Sequence, residues 1–115
     1  MKTSEYSWQS EFPSAITVCD KNGDIIYMNK KSLKTFEKDG GEKLLGTNLL
    51  DCHPEPSKTK LKKMLQEGKV NSYTIEKNGI KKLIHQSPWF EEGEYKGFVE
   101  FSIEIPFNMP HFKRS

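Results

Sequence analysis

Long apolar runs are missing from this chain. No stretch of about 18 consecutive apolar residues occurs, so nothing in it reads as a membrane-spanning helix. The opening residues Met1-Lys2-Thr3-Ser4-Glu5 lack the apolar core of a secretory signal. Cysteine is scarce: Cys19 and Cys52 are too few for a disulfide framework. With His53, His85 and His111 they also lack the paired spacing of a zinc site. An excess of one charge is missing too. Eighteen Lys and Arg stand against 16 Asp and Glu, and a net charge of +2 gives no strong field for nucleic acid. These absences predict a cytoplasmic protein with reduced thiols, and neither nucleic acid nor membrane as a partner.

What is present fits one domain. The hydrophobic share is only 34 %, yet seven Phe, four Tyr and two Trp bury large areas per residue. A chain of 115 residues buries roughly two-thirds of its unfolded surface, enough for a core without staples. The expected divisions are an N-terminal helical extension at 1–12, a domain at 13–106 and a tail at 107–115, with Pro106 and Pro110 keeping that end from forming a helix.

The most informative stretch runs from Pro13 to Asn29. Ile16-Thr-Val-Cys-Asp20 and Ile25-Ile-Tyr27 read as strands around Asn22-Gly23, a pair suited to a hairpin turn with positive φ at both positions. Asn29 suits a helix N-cap, since its side-chain oxygen accepts from a free amide of the first turn. Leu33 and Phe36 follow on one helix face, and Gly40-Gly41 ends it. Residues 57–67 form the clearest helix, with Leu61, Met64 and Leu65 in a stripe, solvated lysines elsewhere and Gly68 as the stop. Three strands follow at 70–77, 80–90 and 95–105, joined by Asn78-Gly79 and Glu92-Gly93. In the last, Val99, Phe101, Ile103 and Ile105 share one face, and Glu100, Ser102 and Glu104 the other. Strands and helices are segregated, which predicts an α+β domain with mostly antiparallel pairing. Near the N-terminus, Tyr6, Trp8 and Phe12 need cover: they pack back on the domain or meet a second copy.

The order strand, Asp20-x-x-Gly23 turn, strand and helix-opening Asn29 resembles the PAS domain. Leu45-Gly46, the helix ending at Gly68, and Gly97 in the last strand fit the same family, so the resemblance spans 13–105. The segment Asn48-Leu-Leu-Asp-Cys-His-Pro-Glu-Pro56 resembles a bacterial PAS subgroup with an Asp-Cys-His-Pro step. The resemblance implies a five-stranded antiparallel sheet with helices covering one face, and a ligand or cofactor between sheet and long helix. It implies dimer contacts through the N-terminal helix and the outer sheet face. Many members continue past an Asp-Ile-Thr step into an output helix. Here the stretch reads Ser102-Ile-Glu-Ile-Pro106, so the expectation is a stand-alone module coupled through a homodimer or a signalling partner protein.

The ligand-binding residues expected on this basis are Val18, Phe36, Leu50, Leu61, Leu65, Ile75 and Phe101, with His85 or Trp89 as the polar contact. Strand parity leaves open whether His85 lines the pocket or sits on the outer face. Cys52 and His53 are candidate heme ligands, against a helix-opening turn with a capping or solvated His. Heme-binding relatives place the axial His inside the long helix, and counting back from Gly68 puts Ser57 near that position. Flavin is the other cofactor considered, but nothing matches the Asn-Cys-Arg-Phe-Leu type of motif that holds it covalently. Asp20 and Asp24 lie in a turn, and Glu100 with Glu104 reads as a solvent or dimer face, not a general acid/base pair. The expected function is a sensory module binding a small apolar or aromatic molecule, without catalysis. The alternative is a protein–protein adaptor whose interior is filled by its own side chains.

Overall fold

In the computed structural model, which describes residues 7–115, Ala15–Asp20 forms β1 and Ile25–Met28 forms β2. The turn between them is built by Asp20. Its Oδ1 accepts from the amides of Asn22 (2.9 Å) and Asp24 (3.0 Å), and Gly23 N–H donates to the Asp20 carbonyl. Only Gly23 of the Asn22-Gly23 pair has positive φ, at 92°. The expected turn is thereby corrected: a carboxylate that caps its own loop replaces a two-residue hairpin.

Asn29 ends β2 and caps α1, Lys30–Thr35, with Oδ1 accepting from Ser32 N at 2.9 Å. The same oxygen accepts from Ile16 N, and Nδ2 donates to the carbonyls of Gln9 and Ser14. One side chain thus joins helix, first strand and N-terminal extension. Two 3-10 turns, Glu37–Asp39 and Gly41–Leu44, lead to α2, Leu49–Cys52, and α3, Ser57–Glu67. Asn48 caps α2 through its Oδ1 while Nδ2 reaches back to Asp24 Oδ1 and the Asn22 carbonyl, both at 2.8 Å. Gly68 closes α3 in the left-handed conformation, its N–H on the Met64 carbonyl.

Asn71–Lys77 (β3), Ile80–Glu91 (β4) and Glu94–Ile105 (β5) complete the sheet. Asn78-Gly79 and Glu92-Gly93 have positive φ at both residues, as two-residue hairpins require. The sheet has five antiparallel strands in the order β2-β1-β5-β4-β3. This is the expected α+β arrangement, with the helical segments packed on one face. Cys19, Leu65 and Phe98 form the buried cluster, with Leu49, Leu50, Leu61, Met64 and Tyr95 around it. Tyr95 Oη donates to the Leu65 carbonyl at 2.7 Å and fixes the end of α3 to the sheet.

The helix expected at the N-terminus falls partly outside the described residues; within them Trp8–Glu11 is a 3-10 turn. Of its aromatics, Trp8 borders a shallow groove with Ile16, Val18 and Phe101 yet stays 61 % exposed, and Phe12 meets it edge-on. No helix among the described residues is long and apolar enough to cross a membrane.

Candidate functional site

Strand register decides what faces the helices. Opposite partners share a face, so Thr17 lies with Glu100, Cys19 with Phe98, and Gln86 with both Glu100 and Asn71. These residues point toward α2 and α3, where they meet a cavity of about 480 Å³. The sheet contributes Thr17, Cys19, Gln86, Phe98 and Glu100, with Ile25 and Met28 from β2. The helical side contributes Phe36, Leu44, Leu49, Leu61, Met64 and Leu65. Asp39, Cys52 and His53 complete the lining.

Three of the expected ligand residues, Phe36, Leu61 and Leu65, line this cavity. Leu50 packs against the core cluster beside it. Ile75 has the right strand parity but lies on the edge strand, 38 % exposed, outside the lining. Val18, Phe101, His85 and Trp89 stand on the opposite side of the sheet, which corrects the expected place of Val18, Phe101 and Trp89 and puts His85 on the outer of the two faces left open for it. Val18 pairs with Val99, and His85 with Phe101, one residue out of phase with the cavity-lining set. His85 Nδ1 is engaged by Ser72 Oγ at 2.6 Å, and Trp89 Nε1 donates to the Cys19 carbonyl at 3.0 Å. The cause is the period of two. Alternation identifies two faces without naming the inner one, and here the more apolar face of β5 is the outer one.

Glu100 is the residue the sequence misplaced most. Its carboxyl faces the cavity, with Oε2 accepting from Gln86 Nε2 at 2.8 Å. The amide orientation of Gln86 is fixed from behind, because its Oε1 accepts from Asn71 Nδ2 at 2.9 Å. Burial pushes the Glu100 carboxyl above its ordinary value, opposed in part by the Gln86 hydrogen bond and then by His53. Glu104, the other carboxylate of that face, pairs instead with Lys31 of α1 at 3.6 Å. The alternation that placed Glu100 on the same face as Ser102 and Glu104 was the usable signal. It needed only the knowledge that this face is inside.

His53 and Cys52 lie at the cavity. His53 Nδ1 donates to the Leu49 carbonyl at 2.7 Å, so the ring closes the last turn of α2. Burial pushes the Cys19 thiol up, which keeps it protonated and a poor metal ligand. The lining holds two carboxylates, Asp39 and Glu100, and neither Lys nor Arg to face the two carboxylates of a heme.

A sequence profile described as PAS domain matches residues 13–105. No curated protein sequence is significantly similar. Among solved structures, the PAS domain of BvgS from Bordetella pertussis is similar at 19 % identity, with a TM-score of 0.63 over 92 % of this chain and 87 % of that one. The PAS domain of an HTR-like protein from Haloarcula marismortui gives 17 % identity and a TM-score of 0.62 over 90 % of each chain. The Aer2 receptor from Vibrio cholerae, a dual PAS-heme oxygen sensor, gives 15 % and 0.62 over 81 % of this chain and 95 % of that one.

Proposed function

The chain belongs to the PAS domain family, and we propose that it is a sensory module that binds a small, largely apolar molecule between the helices and the sheet. One observation carries this reading: the cavity of about 480 Å³, lined by side chains of β1, β2, β4, β5 and the helical segments together. Its volume falls within the range of small-molecule sites, about 300–1,000 Å³. Apolar side chains dominate the lining, with a few polar groups to orient a guest. Met28 and Met64 add adaptable surface.

A ligand there touches both layers of the fold. It stabilises the arrangement in which α2 and α3 lie down on the sheet, and shifts the population of that state by its preference for it. The signal leaves through a second copy or a partner protein. The outer sheet face, with Val18, Val99 and Phe101, and the exposed Phe107, Met109 and Phe112 are available for that contact. The role is recognition, without catalysis, in the cytoplasm of a bacterium.

An adaptor role calls for an interior filled by its own side chains, and the cavity weighs against it. Native mass spectrometry of freshly purified protein, joined to a thermal-shift screen of metabolites, tests the sensory reading. A co-purifying or stabilising small molecule is expected. A protein that carries none and responds to none overturns it.

A further inference from the structure

The geometry points to a protonated organic amine, an ammonium group on an apolar or aromatic body, as the class of ligand this cavity selects, with the Glu100–Gln86 pair as its anchor. The inference rests on the cavity being a ligand site, as proposed above, and adds which chemistry the site takes.

Three observations carry it. The first is the lining. It is apolar over most of its surface, and its formal charges are the carboxylates Asp39 and Glu100, with neither Lys nor Arg beside them. An anionic guest meets like charge there, whereas a cation meets complementary charge in surroundings where screening by water is weak.

The second is the hydrogen-bond chain. Asn71 Nδ2 donates to Gln86 Oε1, and Gln86 Nε2 donates to Glu100 Oε2. The amide is therefore held with its donor side toward the carboxyl, so Oε2 is an acceptor. A charged acceptor makes the stronger bond. The remaining oxygen, Oε1, has no hydrogen-bond partner among the described residues. It is left for a donor that enters the cavity.

The third is the absence of an internal counter-ion. The ion pairs of the described residues take up Glu11, Glu67, Glu94 and Glu104, and Glu100 is in none of them. The charged and titratable groups that face it are His53 at the end of α2, Asp39 on the 3-10 turn, Cys19 on β1 and Tyr73 on β3. Of these only His53 carries a basic group, and its Nδ1–H is already committed to Leu49. The apolar half of the ligand lies against Phe98, Leu61 and Met64. Its ammonium reaches Glu100 Oε1.

Three probes of nearly equal shape separate the outcomes: phenethylamine, phenethyl alcohol and phenylacetate, titrated into the full chain and followed by amide and methyl NMR shifts. The expected order is amine, then alcohol, then carboxylate. The isosteric variant Glu100→Gln is expected to weaken the amine by tenfold or more and to leave the alcohol within about twofold. A second readout uses the unaltered protein, in case the variant does not fold. Saturation with the amine lowers the pH midpoint of the Glu100 side-chain carboxyl carbon, and saturation with the alcohol does not. Equal binding of amine and alcohol, preference for the carboxylate, or an amine affinity indifferent to Glu100→Gln overturns the inference and leaves the sensory reading standing. If none of the three moves a cavity resonance, the inference falls, and the metabolite screen alone decides the sensory reading.

Discussion

Asn29 holds more of this fold than any other polar residue. It is 1 % exposed, and its amide serves two donors and reaches three carbonyls on three separate segments. Removing it leaves buried amides and carbonyls without partners as well as an uncapped helix. Asn29→Ala is expected to cost roughly 2 kcal/mol or more, read as a lower urea midpoint at unchanged slope. Glu100 acts in the opposite sense. Its folded-state pKa lies above the ordinary 4.5 because burial disfavours the charged form. The stability associated with the neutral form is complete below the unfolded value and is lost as pH rises through the raised folded value. Wild type is therefore expected to lose stability relative to Glu100→Gln as pH rises from the ordinary 4.5 through the raised folded value. Parallel urea titrations of the two proteins across that interval check it, and coincident curves would contradict the placement of Glu100 inside.

The elements show how sequence becomes site. At Gly97 the strands β5 and β1 approach so closely that an added Cβ would overlap the Cys19 carbonyl oxygen, and φ is 151°. Trp89 lies opposite Gly97 on β4 and donates to that same carbonyl. Gly97→Ala is expected to destabilise the domain by on the order of 3 kcal/mol and to shift the Trp89 indole resonance, as a thermal melt and an NMR spectrum would report. Much of this level was legible beforehand. The Leu61, Met64 and Leu65 stripe, the Gly68 stop, the Asn29 cap and the two later hairpins all follow from local chemistry that the chain writes within a few residues. The facing of the strands was not legible. In β5 the run Val99, Phe101, Ile103 reads as the core side, yet the fold covers the side bearing Phe98 and Glu100. The helices bring Phe36, Leu61 and Leu65 from elsewhere in the chain to supply the apolar contacts there. That is a tertiary choice, invisible to a period of two. Asn48 escaped notice for a similar reason: its cap was readable, but its reach to Asp24 depends on a fold that brings the two turns together.

At the scale of the molecule, the sheet separates two surfaces. One side encloses the cavity under α2 and α3. The other side, with Val18, Val99 and Phe101 beside Trp8, is a shallow apolar groove. Each strand carries both, so a guest that alters β5 from within acts on residues that alternate with the outer ones. The most direct test of this account is to locate a bound probe by intermolecular NOEs from the ring protons of phenethylamine. The account predicts contacts to the methyls of Met28, Leu61 and Met64. Contacts to Val18 and Val99 alone would place the site on the wrong side of the sheet and contradict it.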